Sequence, residues 1–246
     1  MRGFARDSAP ARDSAPNAGA TGFTHEVAAT KPSPLLAIRE GAAFVLAQPL
    51  LRGIALCALF WNFAFFGFMA LYVPLALRHL ALDPATAGVV QSAYGAGLIA
   101  GALTAAAALR AAAPRWTLLG GPGLSVVAAA LLLVAPPGDA GALCAGAAWF
   151  LIGFGPMLWL VCQTTIRQLV TPPDLLGRVS ATIQMAIYGI RPLGAAAAGA
   201  VAALAGYEAA LALVAASFAA STAVIALTPP LSGLRALPPR VEAVAA

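Results

Sequence analysis

Between residues 51 and 228 the chain is a succession of apolar runs, approximately 51–77, 84–109, 116–135, 141–166, 177–204 and 207–228, broken by short polar joints. Each run supplies the ~20 residues that a ~30 Å hydrocarbon layer demands of a helix. Barrel strands are ~10 residues long and alternate strictly, a pattern absent here. Composition leads to the same place: 61% of the 246 residues are hydrophobic and 9% charged, with a mean hydropathy of +0.87. A soluble domain carries about a quarter charged residues, and this chain has too few to build a water-facing shell. The expected fold class is an all-α membrane protein with six transmembrane helices.

The flanks differ from this body. Residues 1–34 repeat "ARDSAP" in tandem, Ala5 to Pro10 and Ala11 to Pro16, and bury too little apolar surface to offset their ordering entropy. They read as a disordered tail without the apolar stretch of a secretory signal. Residues 35–49 place Leu35, Ile38, Ala42, Val45 and Leu46 at helical spacing, with Arg39 and Glu40 opposite. That pattern predicts an amphipathic interfacial helix. Residues 50–228 form the transmembrane body and 229–246 a cytoplasmic tail.

Charge sets the expected orientation. If the amino terminus is cytoplasmic, the inner segments hold Arg2, Arg6, Arg12, Lys31, Arg39, Arg52, Arg110, Arg115, Arg167, Arg178, Arg235 and Arg240. The outer loops hold Arg78 alone, and Arg191 falls within the membrane. The positive-inside rule then places both termini in the cytoplasm, in a multi-pass protein. The net charge of +5 is scattered in ones and twos, so nucleic acid is not an expected partner. Cys57, Cys144 and Cys162 lie in apolar runs without metal-ligand spacing and read as packing residues.

Arg191 is the anomaly. An arginine at the centre of a helix costs about 2.5–3.5 kcal/mol on insertion scales. Ser180, Gln184, Tyr188 and Arg191 are spaced by four, four and three, which puts them on one stripe. One reading is a cavity-lining face, with Arg191 binding an anionic substrate group or pairing with a carboxylate of another bundle. The other is that Arg191 caps carbonyls freed by Pro192 and locks a kink. Asn62 and Gln91 are further candidates for the substrate cavity; buried amides also serve simply as interhelical hydrogen bonds. Tyr94 is a weaker candidate for the same role.

"GAGLIAG", Gly95 to Gly101, mimics a dinucleotide fingerprint but lacks the preceding strand. Gly97 and Gly101, and Ala195 with Gly199, fit close helix packing instead. Asp174 and Arg178 flank "LLG" in a cytoplasmic loop, as a local ion pair or a gate. All nine acidic residues and both histidines lie outside the expected membrane core, so no proton carrier is evident. No catalytic cluster, metal motif or phosphate loop is present, so an enzyme, a cofactor and an ATP-driven pump are not expected.

Three stretches carry a resemblance. "REGAAFVLAQPLLRGIAL", "RQLVTPPDLLGRVSATIQ" and "RPLGAAAAG" are similar, in this order, to the carboxy-terminal half of a major facilitator superfamily transporter, helices seven to twelve. The branch they resemble is that of bacterial siderophore and drug exporters. The superfamily's loop signature is reduced to Gly101, Arg110 and Arg115. The resemblance implies a location in the cell inner membrane and a half-bundle supplying one wall of a substrate path, in contact with lipid, a small amphipathic substrate and a second six-helix half or a second copy of itself. The alternative is a non-transporting membrane subunit or truncated remnant that binds a partner through its helices.

Overall fold

A computed structural model describes residues 34–241, and every regular element among them is helical. The 1–34 tail lies almost wholly outside the described residues. The elements are α1 (Pro34–Ala47), α2 (Pro49–Pro74), α3 (Pro84–Ala111), α4 (Pro114–Leu133), α5 (Asp139–Val170), α6 (Leu176–Leu227) and the short α7 (Pro229–Ser232). Leu75–His79 continues α2 as a wider, π-type turn. Pro49, Pro84 and Pro114 open α2, α3 and α4. A first-turn N–H has no intrahelical acceptor, so proline loses nothing there. Asp83 caps α3 by accepting from the Ala85 and Thr86 N–H groups at 2.9 and 3.1 Å.

Five helices, α2 to α6, are long and apolar enough to cross a membrane. The last covers both of the segments expected at 177–204 and 207–228: its 52 residues are two helical limbs that meet at Gly206, whose φ of 87° and ψ of 170° are not helical. A straight helix of that length would reach about 78 Å. Instead α6 folds back at Gly206, for Ala198 and Val214 both flank Gly67 of α2, where an added Cβ would lie 3.1 Å from each. The two limbs, 176–205 and 207–227, thus run side by side against α2.

Small residues let the helices meet. A Cβ on Gly97 would collide with the Phe150 carbonyl, and one on Gly101 would sit 2.7 Å from the Phe154 carbonyl, which seats α3 on α5. Gly153 answers from α5 against Tyr94, and Gly121 with Gly155 brings α4 to α5. In lipid such backbone approach replaces the hydrophobic drive as the source of helix association. The expected contact at Gly199 is not made: it is exposed, with open space where a Cβ would be. Gly194, five residues earlier, does that work, pressed against the Phe63 carbonyl of α2. The sequence could not choose between neighbouring small residues because an all-apolar helix does not reveal its rotation.

Two apolar clusters fill the bundle. One includes Phe68, Tyr72, Trp149, Ile152 and Phe218; the other includes Leu51, Ile54, Ile166, Val179, Ile225 and Leu231. Two polar contacts link helices within it, Trp61 Nε1 donating to Ser125 Oγ at 2.9 Å and the Tyr72 hydroxyl to the Ala87 carbonyl at 2.8 Å.

At one end of the bundle, α1 docks on the start of α6, with Gly41 against Thr182 and the Arg178 carbonyl. The segment expected as a tail from 229 packs here as well. Leu231 is fully buried, Arg115 N donates to Leu234 O at 3.2 Å and Val241 N to Leu169 O at 2.8 Å. This is the arginine-rich end. At the other, Gly138 N donates to Leu80 O at 2.8 Å, and the His79 and Tyr207 rings meet at 4.6 Å.

Candidate functional site

A cavity of about 300 Å³ opens among α2, α3, α5 and the first limb of α6. It touches both apolar clusters, through Ile152 on one side and Ile54 and Ile183 on the other. Arg191 lies fifteen residues from one end of its limb and fourteen from the other, about 21–22 Å along the axis. Of the stripe expected on this helix, Gln184, Tyr188 and Arg191 line the cavity and Ser180 does not.

Asn62 faces them from α2. Its Nδ2 donates to the Ala58 carbonyl at 2.9 Å, and its Oδ1 accepts from Arg191 Nε at 3.1 Å. The Arg191 guanidinium also lies 4.5 Å from the Tyr188 ring centroid and 4.9 Å from that of Phe66. The negative faces of two rings and one amide oxygen thus receive the cation. Among the described residues Asn62 is its only hydrogen-bond partner, and the carbonyls freed by Pro192 are not capped by it.

Gln91 does not line the cavity, whereas Tyr94, one turn further along α3, does. Four residues that sequence reasoning did not place in the cavity line it too: Trp61, Trp159, Gln163 and Arg167. The last three are spaced by four and form on α5 the same kind of stripe that stands out on α6. Arg167 was expected in a cytoplasmic loop because the apolar run fades at 166. The helix instead continues to Val170, and Arg167 lines the cavity with its Nε buried and, among the described residues, without an acceptor.

The expected Asp174–Arg178 pair is not formed. Asp174 sits in the turn before α6 begins at Leu176, so it lacks the helical register that an i, i+4 contact needs. Arg178 pairs with Glu40 of α1 at 2.6 Å, the only ion pair among the described residues.

No protein-family model matches the chain, and no curated protein matches it. Solved structures do. A peptide transporter POT in complex with sulfate aligns with a TM-score of 0.65 at 19% identity, over 79% of this chain and 40% of that one. A POT family transporter in complex with a thioalcohol-conjugated peptide gives 0.64 at 17%, over 77% and 40%. A bacterial homologue of the human drug peptide transporters PepT1 and PepT2 gives 0.58 at 20%, over 77% and 44%. At such identities the likeness to these transporters is one of fold. The chain spans about 40% of the length of the first of them. The protein is accordingly an all-helical, multi-pass membrane protein with a transporter-like fold.

Proposed function

We propose that this chain is one half of a secondary transporter of the major facilitator kind. In this reading the two limbs of α6 are the fifth and sixth spans. Both termini face the cytoplasm across the inner membrane, as the gathering of arginines at one end of the bundle favours. Substrate passes by alternating access along a path whose other wall belongs to a second six-helix half, or to a second copy. The direction and cargo read from the resemblance are export of small amphipathic molecules such as drugs or siderophores. Arg191, Tyr188, Gln184 and Asn62 are the proposed substrate contacts.

The observation that carries this reading is the cavity itself. An arginine at mid-membrane is held on one side by Asn62 and open to a void on the other. A purely structural arginine would have its donors matched by the protein.

Cysteine labelling tests it. With Cys57, Cys144 and Cys162 replaced, single cysteines at Asn62 and Gln184 are expected to react with a membrane-impermeant maleimide in sealed vesicles. A cysteine at Leu103, on the exposed side of α3, is expected to stay unlabelled. Silence at both cavity positions would sink the reading.

The second reading, a non-transporting subunit that binds a partner through its helices, draws on the exposed apolar face of α3, where Val89, Ile99 and Leu103 lie uncovered. Crosslinking through a cysteine at Ile99 without any cavity labelling would favour it.

A further inference from the structure

The cavity carries two cations and no acid. Arg191 and Arg167 both line it, and none of Glu40, Asp83, Asp139, Asp174 and Glu208, the acidic residues among those described, does so. Charged side chains within a membrane span face a partner or a polar cavity, and two cations without a neighbouring acid make this cavity receptive to an anion.

The geometry of Arg191 indicates what that anion must look like. The guanidinium is engaged through Nε, the nitrogen nearest its stem, at 3.1 Å from Asn62 Oδ1. Asn62 is fixed in turn by its bond to Ala58, and the guanidinium carbon stands over the Tyr188 and Phe66 rings. The outer fork of terminal N–H groups has no acceptor among the described residues. A guanidinium whose stem is anchored and whose fork is free is pre-organised for two parallel bonds to a carboxylate, sulfonate or phosphate.

Arg167 repeats the theme nearer the arginine-rich end, its Nε buried without a partner. The rest of the lining is mixed: Trp61, Tyr94, Met157 and Trp159 supply apolar and aromatic wall, and Gln163 and Gln184 add neutral polar groups. A void of about 300 Å³ lies at the small end of the range for small-molecule sites.

We infer that the cavity takes a small organic anion, with an aromatic or apolar body against the Trp61–Trp159 wall and its acid group on the Arg191 fork. This deepens the transporter reading and rests on it. Arg167 is the second station, meeting the same acid group as the molecule enters or leaves at the arginine-rich end. The nearest rival is that Arg191 pairs with a carboxylate of a second bundle and never meets substrate.

The test uses the full chain in phosphatidylcholine nanodiscs and two probes sharing one ring system. 8-Anilinonaphthalene-1-sulfonate carries an acid group, and N-phenyl-1-naphthylamine does not. Energy transfer from tryptophan reports binding, with empty discs subtracted. The sulfonate is expected to bind about tenfold or more tightly than the neutral probe, as charge-assisted hydrogen bonds allow. Arg191→Gln is expected to erase that preference while leaving the neutral probe unchanged, with Arg191→Lys intermediate.

Equal binding of the two probes, insensitive to Arg191→Gln, overturns the anion inference and leaves the cavity reading standing. Failure of both probes to bind above empty discs overturns both. If Arg191→Gln does not insert, Arg167→Gln carries the same comparison: a selective loss of sulfonate affinity supports the inference, and no loss counts against it.

Discussion

Glu40 and Arg178 stand 138 residues apart in sequence and 2.6 Å apart in space. Their pairing fastens α1 to the first turns of α6, where Gly41 admits the close approach and Thr182 Oγ1 donates to the Ile38 carbonyl at 3.3 Å. The side chains are 34% and 40% exposed, so the ion pair by itself contributes at most about 1 kcal/mol. Glu40→Arg is therefore expected to loosen α1 without unfolding the bundle. Hydrogen exchange within 34–47 should rise while that of α5 does not, and the swap Glu40→Arg with Arg178→Glu should restore protection.

Gly206 holds the fold-back of α6. Its φ of 87° with ψ of 170° lies in a region that essentially only glycine enters. Nothing stands within 4 Å of a Cβ built there, so the cost of a side chain is backbone strain rather than collision. Gly206→Ala is expected to destabilise by about 1–3 kcal/mol, read as a lower melting temperature in detergent. An unchanged melting temperature would mean that the turn adopts another conformation.

Gly194 and Gly199 make a matched pair on one limb. Gly194→Ala drives a methyl into the Phe63 carbonyl, whereas Gly199→Ala meets open space in a helical backbone. The first is expected to part α2 from α6, at a cost of about 1–3 kcal/mol for an overpacked contact. The second is expected to be neutral or to stabilise by up to about 1 kcal/mol through helix propensity. Thermal stability of the two purified variants checks the contrast.

Asp83 predicts a pH dependence. The Thr86 hydroxyl, then the Thr86 and Ala85 N–H groups, bind its carboxylate and hold it below the usual carboxylate range. A carboxyl group lowered on folding adds stability that is present above its unfolded value and lost as pH falls through the folded one. The first turn of α3 is thus expected to keep its hydrogen-exchange protection at neutral pH and to fray in acid. Asp83→Asn, which still accepts but does not titrate, should flatten that dependence.

The membrane body was legible in the sequence because spanning lipid is a one-dimensional demand, satisfied by length and hydropathy alone. Its helix starts were legible too, for Pro49, Pro84 and Pro114 mark them chemically. The stripe of Gln184, Tyr188 and Arg191 was legible because polar residues stand out on an apolar helix. The equivalent stripe on α5 was hidden, since Arg167 lies where the apolar run ends and reads as a loop residue until the helix is seen to continue to Val170.

By itself, then, the sequence determined that the chain is helical, that its helices are long and apolar enough to cross a membrane and that Arg191 stands in the middle of an apolar run. Only the tertiary structure decided the partners. Asn62 rather than Pro192's freed carbonyls meets Arg191, Glu40 rather than Asp174 meets Arg178, and Gly194 rather than Gly199 meets α2. The physical reason is common to all three. Where nearly every side chain is apolar, hydropathy says that a helix is buried but not how it is rotated, and rotation selects each contact.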